Sequence, residues 1–105
     1  MTTHGYRIYH DESECTKQDR IRSELNSEQL DHEYDNIGTA LHLYARSKNV
    51  ELMYDTKRSD KGGVLVTIRN FDSAQDADTF IEQFPNWLRA KLPTRFCPVV
   101  ERERT

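Results

Sequence analysis

The sequence predicts an α+β domain in the order β-α-β-β-α-β, and three observations carry that expectation. Apolar residues alternate with a period of two in four short runs, recur with a helical period in two longer ones, and the runs follow one another in that order. The chain has 105 residues, enough for one domain with one core. Leu, Ile, Val and Phe supply 22 of them, just above the level near 20% at which disorder becomes the default, and a net charge of −3 repels only weakly. A single folded domain over 1–105 is expected.

The first strand is expected over 6–10, where Tyr6, Ile8 and His10 share one face and Arg7 and Tyr9 the other. The polar, acidic segment 11–26 has only Cys15, Ile21 and Leu25 as apolar anchors, so it reads as a loop with room for a helical turn. A helix then starts at Asn26 or Ser27, either of which can cap, and carries Leu30, Tyr34, Ile37, Leu41 and Tyr44 in one stripe. Gly38 inside that stripe costs about 1 kcal/mol relative to Ala and marks a bend or close packing against a strand. Asn49 ends the helix.

Val50, Leu52 and Tyr54 alternate against Glu51, Met53 and Asp55, which predicts a second strand over 50–55. A polar loop over 57–63 with two turn glycines joins it to a third strand over 64–69, the most β-prone run in the chain, and the pair is a hairpin. Ser73 caps a second helix whose buried stripe is Ala77, Phe80, Ile81, Phe84 and Leu88. Pro85 makes 86–92 a kinked continuation or a separate short helix, and Pro93 stops it. A last strand over 96–100 is placed at the sheet edge by Pro98, and 101–105 is expected to be a frayed tail.

This order is the split β-α-β, or ferredoxin-like, pattern, with two helices on one face of an antiparallel sheet. The helices are expected to cover Ile8, Val50, Leu52, Val64, Val66 and Ile68. The other face then presents Arg7, Tyr9, Met53, Leu65, Thr67 and Arg69 as a partner-binding site: an apolar cluster of Tyr9, Met53 and Leu65 edged by two arginines. A protein partner or a homodimer would satisfy such a patch.

Charge is segregated along the chain. Between Asp11 and Asp35 nine acidic residues face three basic ones, whereas Arg46 to Arg69 and Asn86 to Thr105 each carry a net +3. A pI near 5.8 argues against a dedicated duplex-DNA binder, although a local basic patch could still hold a short nucleic-acid segment. No run approaches the roughly 20 apolar residues that span a bilayer, and Met1 is followed by polar residues, so neither a membrane nor a secretory route is expected. Two cysteines, Cys15 and Cys97, are too few for a disulfide framework or a Cys-based zinc site, which fits a cytoplasmic location.

Polar clusters point to no catalysis and no cofactor. Glu28 and His32, with Asp31 and Asp35 beside them, offer metal-ligating groups but read as a solvated helix start whose carboxylates complement the helix dipole. Cys15 or Cys97 with His4, His10, His32 or His42 would make a nucleophile and base, yet neither cysteine sits in a catalytic signature, and each reads as a small hydrophobe or exposed thiol. Gly62-Gly63 lacks a phosphate-binding framework and reads as a turn, and Trp87 as a core or rim residue.

The run Lys61-Gly62-Gly63-Val64-Leu65-Val66-Thr67-Ile68 resembles the third strand of an RNA recognition motif, with Lys61, Gly62 and Val66 at the fixed positions of its RNP1 pattern. The likeness spans 50–81, taking in Asp76-Ala77 and Phe80-Ile81, and Ile8-Tyr9 is similar to the opening of RNP2. It implies single-stranded RNA on the sheet face, with Lys57, Arg58 and Lys61 on phosphates. The family's stacking aromatics would fall at Gly63 and Leu65, neither of which has a π face. The leading expectation is therefore a non-catalytic protein that docks to another protein; RNA binding is the alternative, and a dimeric α/β-barrel enzyme, by analogy of topology, is a further one.

Overall fold

The computed structural model describes residues 2–11, 13–14, 26–91 and 96–103. The expectations for Cys15, Ile21, Leu25 and Pro93 lie outside them, as does most of the acidic segment. The described elements are β1 (Thr2–His10), α1 (Ser27–Asp35), α2 (Ile37–Ser47), β2 (Tyr54–Arg58), β3 (Val64–Phe71), α3 (Ala74–Glu82), α4 (Phe84–Lys91) and β4 (Pro98–Arg102). They make an α+β unit with one four-stranded antiparallel sheet in the order β2-β3-β1-β4.

Each expected helix is two. Asn26 caps α1 with a reciprocal capping box: its side chain accepts from the Gln29 N–H while Gln29 Oε1 accepts from the Asn26 N–H. The helix breaks at Asn36, two residues before Gly38. A Cβ on Gly38 would lie 3.5 Å from Thr56 Oγ1, an ordinary contact, so close packing does not require a glycine there. Asn49 closes the pair with φ at +57°. Ser73 caps α3 by accepting from the Asp76 N–H, and Pro85 sits in the first turn of the separate helix α4, where its missing N–H costs least.

One contiguous core results. Tyr6 and Ile8 of β1, Val64, Val66 and Ile68 of β3, and Ile37, Leu41, Tyr44, Ile81 and Phe84 of the helices are all buried in it. Three phenols, those of buried Tyr6 and Tyr44 and half-buried Tyr54, are spent on polar partners within this layer: Tyr6 Oη donates to Asp78 Oδ1 at 2.6 Å, Tyr44 Oη to the Phe80 carbonyl at 2.6 Å, and Tyr54 Oη to the Gly38 carbonyl at 2.7 Å. Trp87 packs on Tyr44 and Phe84, with ring centroids 5.5 and 6.3 Å apart, at the rim of the core.

All four strands differ in their bounds from the expectation. β1 begins at Thr2, earlier than position 6, with a register shift between Thr2 and His4. β2 is Tyr54–Arg58, so Val50 and Leu52 are half-buried but lie before the strand, and Lys57 and Arg58 are strand residues. Ahead of Tyr54 the Asn70 side chain ties this segment to β3: its Oδ1 accepts from the Met53 N–H and its Nδ2 donates to the Glu51 carbonyl. β3 runs on to Phe71. β4 includes Glu101 and Arg102, and the Glu103 N–H donates to the Gly5 carbonyl at 3.0 Å, so these residues are paired.

Cys97 is buried and disulfide-bonded, and is neither the thiol nor the simple hydrophobe the sequence led us to expect. No described helix is long and apolar enough to cross a membrane.

Candidate functional site

Strand alternation divides β1 and β3 between two environments. Even-numbered residues enter the core, and Arg7, Tyr9, Leu65, Thr67 and Arg69 emerge on the sheet face away from it. The register sets their order. Arg7 lies opposite Leu65 on one side and Glu101 on the other, Tyr9 opposite Val99, and Leu65 opposite Lys57.

Arg7 is the centre of this face. Its guanidinium sits 4.1 Å above the Tyr9 ring centroid, donates to Glu101 Oε2 at 3.0 Å, and donates to the Lys61 and Gly62 carbonyls at 3.2 and 3.0 Å. One side chain thereby ties the β2–β3 turn and β4 to β1. The turn comes close because Gly63, at φ +83°, has no Cβ; one placed there would be 2.3 Å from the Ile8 carbonyl oxygen. At the other end Arg69 pairs with Asp55 at 3.2 Å.

The six expected partner-binding residues are thus not one patch. Tyr9 and Leu65 are diagonal neighbours, joined at the same end by Val99, which the sequence reading missed for want of the β4 register. Met53 is half exposed and its carbonyl accepts from the Arg69 N–H, which puts it level with Arg69, about 13 Å along β3 from Leu65 at strand rise. Asp55, Thr67 and Arg69 intervene. The arginines do not edge the cluster: Arg7 is inside it and Arg69 divides it.

The three basic residues assigned to phosphates are also separated. Lys57 is on the open face and Lys61 at the turn, but Arg58 points to the helix side, where it pairs with Asp31 at 2.6 Å and Asp35 at 3.3 Å and lies 4.9 Å from the Tyr34 ring centroid. Those same carboxylates were the metal-ligating group read from the sequence. Among the described residues no cluster of three His, Cys, Asp or Glu side chains could hold a metal ion.

His10 and Cys97 do meet, though not as base and nucleophile. His10 Nδ1 accepts from the backbone N–H of Cys97 at 3.0 Å, and the Cys97 sulfur is committed to a disulfide. His4 is buried, with Nε2 3.0 Å from the Phe71 carbonyl oxygen, while His32 and His42 are exposed.

Burial raises the phenol pKa of Tyr6, Tyr44 and Tyr54; for Tyr6 the hydrogen bond to Asp78 adds to it. These groups face the core and act in stability. Compared with protein-family models, with curated proteins and with solved structures, the chain matches none.

Proposed function

We propose that the protein is a non-catalytic docking module, a split β-α-β domain of the ferredoxin-like pattern that binds another protein through its open sheet face. The observation that supports this reading is the internal pairing of the face's arginines, Arg7 with Glu101 and Arg69 with Asp55. Each of these guanidinium groups already faces a carboxylate that a phosphate would have to displace, whereas the apolar end at Tyr9, Leu65 and Val99 suits a protein surface. Stacking on Tyr9 would also have to displace Arg7 from its ring.

The test is affinity capture with the wild-type chain and with the double variant Leu65→Glu, Tyr9→Ala, each with and without nuclease. The expected result is one protein that survives nuclease and is lost with the double variant. Sub-micromolar binding of single-stranded RNA at physiological salt, abolished by Tyr9→Ala alone, would overturn the reading in favour of RNA.

A further inference from the structure

The two edges of the sheet are β2 and β4, and their backbone parity can be read from the bonds that flank them. The Ser59 N–H donates to the Gly63 carbonyl and the Arg69 N–H to the Met53 carbonyl, so Asp55 and Lys57 spend their backbone groups on β3. Tyr54, Thr56 and Arg58 therefore turn theirs to the outer edge. On β4 the Asp11 N–H donates to the Cys97 carbonyl and the Glu103 N–H to the Gly5 carbonyl, so the outward residues are Pro98, Val100 and Arg102.

The edges differ in what they accept. Pro98 has no N–H to offer, and β4 laid antiparallel on itself would set Glu101 against Val99 of the second copy. β2, Tyr-Asp-Thr-Lys-Arg, is self-complementary about Thr56. Antiparallel pairing of two copies bonds Thr56 to Thr56 and Tyr54 to Arg58, using the outward groups alone. It also sets Asp55 of each copy against Lys57 of the other in the non-hydrogen-bonded position, where side chains are closest. Lys57 is exposed and has no ion pair among the described residues, and Asp55, also exposed, pairs with Arg69 at 3.2 Å through Oδ2 alone, so Lys57 of the second copy would join that pair. The charges that would block an unrelated strand match on this one.

We propose that β2 is the contact through which a second copy of this chain adds to the sheet, giving one continuous sheet of eight strands about a two-fold axis at Thr56. The axis stands perpendicular to the sheet, so the helices of both copies stay on one side and both open faces lie side by side on the other. This inference does not rest on the docking reading, since the open face is left free.

Sedimentation equilibrium of the full chain tests it with a charge swap. Lys57→Asp and Asp55→Lys, each alone, place like charges opposite one another at two symmetric positions, and each is expected to raise the dimer dissociation constant about tenfold. Mixing the two variants restores both Asp–Lys pairs, as does combining them in one chain, so both preparations should return to the wild-type constant. Far-UV circular dichroism on every variant verifies the fold. A wild-type chain monomeric to millimolar concentration, or a dimer indifferent to both reversals, would overturn the proposal. Dissolution of the dimer by Leu65→Glu with Tyr9→Ala, with the charge variants unaffected, would move the interface to the open face and sink the edge.

Discussion

Two faces of a single strand show how differently this sequence is used a residue apart. Val64, Val66 and Ile68 are at most 2% exposed, whereas Leu65 and Thr67 are half-buried and Arg69 is exposed. The first set is held by volume: apolar side chains close-packed among Tyr6, Ile8 and the helices, where lost atoms leave a cavity. The second lies at the surface, where the one charge, Arg69, pairs across the strand with Asp55 in water, an interaction that is individually weak. Stability therefore belongs to one face, and freedom to change partners to the other.

The largest expected effect tests that division. Ile68→Ala or Leu41→Ala should cost about 2–5 kcal/mol in urea unfolding, while Thr67→Ala should stay within about 0.5 kcal/mol. Equal damage at Thr67 would mean the two faces are not distinct in energy. Next, Gly63→Ala should cost about 2–3 kcal/mol, because its φ of +83° strains an L residue and its Cβ would meet the Ile8 carbonyl. A melting temperature unchanged by Gly63→Ala would show that the turn can lift from β1, and would loosen the open face as a fixed surface.

The smallest effect concerns pH. Tyr6, Tyr44 and Tyr54 keep their protons in the folded state above the pH at which the unfolded chain releases them. Their contribution is then fully present below about pH 10 and is lost as pH rises beyond it. Tyr6→Phe should cost about 1 kcal/mol at neutral pH through loss of the bond to Asp78, and should flatten the alkaline fall in stability. A stability curve equally steep with and without the Tyr6 hydroxyl would remove Tyr6 from that account.

The buried face was legible in the sequence because burial imposes a period. Leu30, Tyr34, Ile37, Leu41 and Tyr44 repeat at helical spacing, and Val64, Val66 and Ile68 at strand spacing, and both sets join the core or pack against it. The open face was less legible because register decides it. Met53 looked contiguous with Leu65 until the ladder placed Arg69 and Asp55 between them, and Val99 had no face until β4 was paired. The start of β2 was misread because a half-buried linker alternates as a strand does, and its end because charged edge residues such as Lys57 and Arg58 resemble a loop. Arg58 reaching Asp31 and Asp35, and the oxidation of Cys97, are long-range events with no local mark.

The position of β1 has a consequence for how the chain is made. Its nine residues lie between β3 and β4, so the strand synthesised first finds its neighbours only after residues 64–71 and then 98–102 exist. On the ribosome the β2–β3 hairpin can close locally, but Tyr6 and Ile8 wait, apolar and unpaired, until β3 has been made. Completion of the sheet therefore waits on the last strand, and a chain stalled before Pro98 would expose a bare edge on β1 to whatever strand is nearest.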